Sequence, residues 1–280
     1  MSTIATALIQ MRSGTDPAAN LAMACDLIRQ AAAQGASLIA TPETTHLVQK
    51  DADQAFAVMR SQADDPAIPT FSALAKELGI TLLIGSLAIK LAERRAANRS
   101  FLFGPGGDLL ATYDKAHMFD VGIGQGEIYR ESANYQAGDR LVVADAGAAR
   151  IGLSICYDVR FAYLYRRLAQ AGAQILTVPA AFTRPTGRAH WEILLRARAI
   201  ETGSWVIAPA QAGLHEDGRR TWGHSMIIDP WGAVTAQLDH DEPGILLAQL
   251  DMDKVADARS RIPALQHDRK LSGPDEVIAQ

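Results

Sequence analysis

Arg150–Pro179 reads RIGLSICYDVRFAYLYRRLAQAGAQILTVP. It opens on a short apolar run, Arg150–Ile155, that suits a buried strand. A helix is expected from about Arg160 to Ala171, and the run QILTVP then gives a second strand. Strand, helix and strand in succession are the repeating unit of an α/β layered fold.

The same alternation extends outward. Thr3–Ile9 is a short apolar strand, and Asp16-Pro17 starts a helix on which Leu21, Ala24, Leu27 and Ile28 keep the period until Gly35 stops it. Ser37–Ala40 is the next strand and ends at Pro42-Glu43. A helix at about Thr70–Leu78 stops at Gly79, before the strand run ITLLIGSLAI. Downstream, a helix around His190–Glu201 precedes the strand WVIAPA. Gly244–Leu250 is a last strand, and Asp253 caps a short final helix.

Other strands read as antiparallel pairs. Ser100–Phe103 and Leu109–Tyr113 flank the turn GPGGD, and Ser225–Ile228 and Ala233–Gln237 flank DPWG. Leu141–Val143 pairs with Arg150–Ile155. Hairpins mixed with βα units exclude a purely parallel, doubly wound sheet. The expected architecture is a four-layer α-β-β-α sandwich, two mixed sheets flanked by helices. No linker, low-complexity tract or fixed-period repeat interrupts residues 1–280, so a single domain is expected. Ala116–Asp139 lacks a clear period and is long for a loop; such loops are more often functional than accidental.

The 280 residues are 48% hydrophobic and 21% charged, an ordinary globular composition, with a formal charge of −4. Without a basic stripe, nucleic acid is not an expected partner. The start MSTIATALIQ has no signal-peptide pattern, and no apolar run approaches a membrane span. Two cysteines, Cys25 and Cys156, cannot build a disulfide framework, and a cytoplasmic setting is expected.

Four residues could carry chemistry. Cys156 lies where an apolar strand meets a helix, a junction that can expose a side chain and aim backbone N–H groups at it. A lone cysteine is more often simply buried, as Cys25 is expected to be. Lys115, in YDKAHMFD, follows the strand LLATY and opens the irregular loop with His117 and Phe119. Glu43, in ATPETTH, ends the second strand, where an acidic residue commonly caps the next helix. Glu131, in YRES, could pair with Arg130. Singly, each has an ordinary structural explanation. No histidine pair or CxxC suggests a metal, the glycines Gly122, Gly124 and Gly126 do not make a nucleotide fingerprint, and no G-x-S-x-G is present.

As an ordered set, TPE at Glu43, YDKAHMFD at Lys115, GEIYRES at Glu131 and GLSICYDVRF at Cys156 resemble the nitrilase (carbon–nitrogen hydrolase) superfamily. The resemblance continues through TGRAHWEILLRARAIE and GHSMIIDPWG and so covers nearly the whole chain. Tyr157-Asp158 after the cysteine is similar to the Nit amidase branch, whereas true nitrilases carry Trp-Glu there. AFTRPTGRAHWE and AQAGLHEDGRRTWGHSMIIDPWG are most similar to amidases of deaminated glutathione, with ω-amidases as neighbours. Arg188, in TGRAHWE, departs from the Pro or Lys of many relatives.

The resemblance implies a thiol amidohydrolase that cleaves a non-peptide C–N amide bond with release of ammonia, through a thioester on Cys156. Deaminated glutathione is the expected substrate. The alternatives are α-ketoglutaramate, an N-carbamoyl amino acid, or an interaction protein that has kept the fold without the chemistry. Glu43 would move the protons. Lys115 and the Tyr157 backbone N–H would hold the oxyanion, and Glu131 would orient Lys115 or the amide. No cofactor is needed. A substrate pocket is expected from Tyr157, Phe119, Phe182 and Thr183, with Arg184 and Arg188 as candidates for a distal carboxylate. A lysine beside Cys156 favours thiolate while burial disfavours it, and the sequence leaves both open. Family members commonly pair through the helix after the nucleophile, here carrying Tyr163, Leu164 and Leu168, so a homodimer or larger homo-oligomer is expected.

Overall fold

The computed structural model describes residues 3–123 and 128–273. The first half carries β1 (Thr3–Gln10), α1 (Pro17–Ala33), β2 (Leu38–Ala40), α2 (Ala52–Val58), α3 (Ala67–Leu78), β3 (Thr81–Ala92), β4 (Arg95–Phe103) and β5 (Leu109–Asp114). Two short strands, β6 (Asp120–Gly122) and β7 (Ile128–Arg130), follow, then β8 (Val143–Asp145) and β9 (Arg150–Gly152). The rest carries α4 (Ala162–Gln170), β10 (Ile175–Thr177), α5 (Arg184–Thr202), β11 (Trp205–Ala208), β12 (Ala212–Leu214) and β13 (Arg220–Trp222). Finally come β14 (Met226–Ile228), β15 (Val234–Gln237), β16 (Gly244–Asp251) and α6 (Asp253–Arg261).

Among the described residues two six-stranded mixed sheets form, in the orders β16-β1-β2-β3-β4-β5 and β15-β14-β11-β10-β9-β8. Period-two alternation assigns the faces. Leu8, Leu38, Leu83 and Leu102 of the first sheet pack with Ile151, Ile175 and Val206 of the second, which makes the inter-sheet core. Their neighbours Ile9, Ile39, Leu82, Ile84 and Phe101 point the other way, onto Ile28 of α1 and Phe71 of α3. Leu164 and Leu168 of α4 and Trp191 and Leu195 of α5 belong to the core of the second sheet. The layers are α-β-β-α, as expected.

Local chemistry explains where the elements differ from the sequence reading. Asp16 accepts the Ala18 N–H at 2.9 Å, which starts α1 at Pro17. α3 begins three residues before Thr70, because the Asp65 carboxylate accepts the Ala67 N–H at 2.9 Å. The sequence reading missed α2, which Asp51 caps through the Gln54 N–H at 2.9 Å. α5 starts at Arg184, well before His190, with Pro185 in its first turn. Asp253 is the first residue of α6 rather than its cap. The ladder of β9 stops at Gly152, short of Ile155. Leu164 and Leu168 are buried within the chain, so only Tyr163 of that trio presents an exposed apolar surface.

Candidate active site

Glu43 sits in the turn that leaves β2. Thr44 has φ 53°, a left-handed conformation uncommon outside glycine. The turn is held from β3: Ser86 Oγ accepts the Thr44 N–H at 2.8 Å, and the Ser86 carbonyl accepts the Thr45 N–H at 2.9 Å. The pairing of β3 with β4 shifts register between Ile84 and Leu87, which frees Gly85 and Ser86 for this task. Gln211, beyond β11 on the other sheet, donates to the Glu43 carbonyl at 3.1 Å. The Glu43 carboxyl group ends up 4% exposed, between the sheets.

Lys115 follows β5 and is also buried. Its Nζ donates to Glu43 Oε1 at 2.9 Å and to Glu131 at 3.0 and 2.8 Å on its two carboxylate oxygens. Glu131 heads a 3-10 turn after β7 and also accepts the Phe119 N–H at 2.6 Å. Arg130 is therefore not its main partner; Lys115 is.

Cys156 follows β9 and opens a 3-10 turn, Cys156–Arg160. Its φ is 49°, so this nucleophile candidate, like Thr44, holds a strained backbone of the kind that clusters at functional sites. Asp158 fixes the turn. Its carboxylate accepts the Ile155 N–H at 2.9 Å and the Tyr113 hydroxyl at 2.7 Å, and meets His117 Nδ1 at 2.6 Å. The Pro179 carbonyl accepts the Cys156 N–H at 2.9 Å. The Ala181 N–H donates to Glu43 Oε2 at 2.8 Å and also faces the Cys156 sulfur.

The charges sort themselves. Burial alone would push Glu43 up, but the Lys115 ammonium, together with hydrogen bonds from Lys115, the Cys156 thiol and Asn98, holds it below its ordinary value. Burial alone would push Lys115 down; Glu131 and Glu43 outweigh it and hold the ammonium well above its ordinary value. Burial pushes the Cys156 thiol well up, the Glu43 charge adds to this, and Lys115 opposes it without prevailing. The question left by the sequence is thus answered: burial wins. The resting site holds a carboxylate, an ammonium and a neutral thiol hydrogen-bonded to that carboxylate.

Aromatic rings lie close to these residues in the chain, Tyr157 after Cys156 and Phe182 after Ala181. Phe119 and Tyr157 meet edge to face with centroids 5.2 Å apart, and Phe182 packs on Trp191 at 4.9 Å. The Arg160 guanidinium lies 5.8 Å from the Tyr157 ring and 5.7 Å from the Phe182 ring. Thr183 is buried, with its hydroxyl 2.8 Å from that of Thr186. Arg184 and Arg188 are exposed at the start of α5. The cation over the aromatic wall is Arg160, which the sequence reading passed over.

Asn98, Asp158 and the Ala181 N–H were also passed over. Asn98 offered one signal, a polar residue in the strand run RAANRSFLF at a position that turns out buried. Asp158 was visible only as part of a motif. Among the described residues, no group of three or more His, Cys, Asp and Glu side chains could hold a metal ion.

Comparison with known proteins gives the family. The carbon-nitrogen hydrolase family model matches residues 5–260. The chain is 41% identical over 268 residues to the deaminated glutathione amidase of Synechocystis sp., covering 93% of this chain and 96% of that one. It is 36% identical to the omega-amidase NIT2 of Mus musculus, covering 96% of both. The crystal structure of the C. elegans NitFhit protein superposes with a TM-score of 0.89 at 34% identity, covering 96% of this chain and 66% of that longer one.

Proposed function

This chain belongs to the carbon–nitrogen hydrolase family, and on that premise we propose that it is a thiol amidase acting on deaminated glutathione. The observation that carries the chemistry is the buried Glu43–Lys115 pair at 2.9 Å, with the buried Cys156 thiol in electrostatic contact with both. Cys156 is the nucleophile in this reading. Glu43 takes the thiol proton as sulfur attacks the amide carbonyl. The tetrahedral oxyanion is met by Lys115 and the Tyr157 N–H. Glu43 returns the proton to the leaving nitrogen, and the amine departs. Water then loses a proton to Glu43 and opens the thioester, which frees the acid and the thiol. Glu131, bonded to Lys115 through both oxygens, fixes the lysine rather than touching the thiol.

The choice of substrate rests on the relatives of that name and on the wall of the pocket. An α-keto acid amide carries a carboxylate, and Arg160 over Tyr157 and Phe182 offers it a cation beside apolar surface. Cleavage of deaminated glutathione at this amide gives α-ketoglutarate and cysteinylglycine. Ammonia is the second product only from a primary amide such as α-ketoglutaramate, the ω-amidase substrate favoured by the NIT2 likeness. An N-carbamoyl amino acid would give carbon dioxide with ammonia. The test is α-ketoglutarate release from both amides by wild-type protein and by Cys156→Ala. Turnover by Cys156→Ala would remove Cys156 from the role of nucleophile.

The protein is proposed to work as a homodimer. Tyr163 of α4 and Ile193 and Ile200 of α5 are apolar and more than half exposed, at 57%, 70% and 58%. Large apolar side chains exposed on two neighbouring helices support pairing. A monomeric mass in solution would refute this pairing. Among the described residues no helix is long and apolar enough to cross a membrane.

A further inference from the structure

Asn98 lies on β4, opposite Ala88 of β3, and is 3% exposed. Its backbone carbonyl accepts the Lys115 N–H at 2.9 Å, so it already fixes where the lysine leaves β5. Its side-chain Nδ2 donates to Glu43 Oε1 at 2.9 Å and to Glu131 Oε1 at 3.3 Å. Both carboxylates that flank Lys115 are therefore also tied to one neutral amide. The Asn98 Oδ1 is buried and has no partner among the described residues. Unmet acceptors in a core are uncommon and carry a cost. The side chain accepts that cost while its two N–H donors are fully used on the carboxylates. The amide orientation follows, because an oxygen in the Nδ2 position would face two carboxylates.

We propose that Asn98 is a positioning residue that clamps the Glu43 and Glu131 carboxylates on either side of Lys115. The proposal rests on the reading of Glu43 as the base. Two carboxylates so close repel each other. The ammonium opposes this, but its three N–H groups are divided between the same oxygens. Asn98 adds donors without adding charge, so Glu43 stays ionised while Lys115 keeps its direction. The other titratable groups that act on Glu43 or its partners are Cys156 and Tyr135, with Arg219 acting on Tyr135.

The test is a pH series on the full chain with Asn98→Leu, and with Asn98→Ser as a smaller change. α-Ketoglutaramate turnover gives kcat and KM, and the rate of Cys156 alkylation by iodoacetamide gives a substrate-free readout. Loss of the clamp is expected to move the acid limb of both profiles upward by about one pH unit, roughly tenfold in rate on that limb. KM should stay within about twofold, since Asn98 touches no substrate in this arrangement. An unmoved acid limb in either folded variant overturns the proposal. Failure of both variants to fold also overturns it, by assigning Asn98 to the fold alone. If wild-type protein hydrolyses no α-keto amide, the functional reading fails by itself, and the alkylation profiles still decide on Asn98.

Discussion

Replacing Gly85 by alanine should damage catalysis through two loops that belong to different sheets. A Cβ at Gly85 would come 2.8 Å from the Pro42 carbonyl carbon, and closer still to the Thr41 oxygen and the Pro179 Cβ, where ordinary contact begins at 3.4 Å. The surroundings must therefore give by more than about half an ångström. On one side they are the turn that carries Glu43. On the other is Pro179, whose carbonyl holds the Cys156 N–H. The methyl group thus wedges Glu43 away from Cys156. Displacements approaching an ångström cost on the order of a hundredfold in rate. Overpacking itself costs about 1–3 kcal/mol, enough to lower Tm by several degrees but not to unfold a domain of this size. The assay is α-ketoglutarate release with thermal melts in parallel. Gly244→Ala, whose Cβ would meet only ordinary contacts of 3.4 Å and beyond, serves as the control. A Gly85→Ala protein with wild-type kcat would refute the argument that this glycine sets the spacing of the two loops.

Three further outcomes follow from the charges. Because burial holds the Cys156 thiol up and Lys115 with its partners holds Glu43 down, alkylation of Cys156 should not rise through the free thiol range near pH 8.5. It should instead fall at acid pH, as Glu43 takes a proton below its ordinary range; a titration near pH 8.5 would mean a solvent-like thiol. The stability linkage has the matching signs: the contribution of the depressed Glu43 is present above its unfolded value and is lost as pH falls through its folded one, whereas that of the raised Cys156 is lost as pH climbs past the free thiol value. Arg160→Ala should raise KM for α-keto acid amides about tenfold or more with little change in kcat, since a cation binding a distal carboxylate acts on ground and transition states alike. An unchanged KM would remove Arg160 from substrate binding.

Much of this was legible in the sequence because it depends on short-range signals. Short apolar runs and turn signals gave the strands, and Asp16-Pro17 and Gly35 bracket α1 to within a residue. Glu43, Lys115, Glu131 and Cys156 were found through their order in motifs. What the sequence hid was long-range. Asn98 looks like an interruption in a β-strand until the turn after β2 and the 3-10 turn after β7 bring two carboxylates to its amide. Arg160 and Arg184 are both arginines near helix starts, and only packing puts one over aromatic rings and the other in solvent. The Ala181 N–H has no side-chain signature at all, because what it contributes is backbone direction.

The arrangement also explains why the site lies between the sheets rather than on one of them. Glu43, Asn98 and Lys115 come from the first sheet, whereas Cys156, Pro179 and Ala181 come from the second. Each side reaches across: Gln211 and Ala181 hold Glu43, and Tyr113, from β5, holds the Asp158 that shapes the Cys156 turn. A charged cluster this deep would be unfavourable on either sheet alone, since burial opposes both the carboxylate and the ammonium. Only when the leucine-rich inner faces close does each charge gain its partners and lose its water together. The electrostatics are therefore a property of the closed sandwich: a thiol that burial keeps neutral lies beside a carboxylate that its neighbours keep ionised.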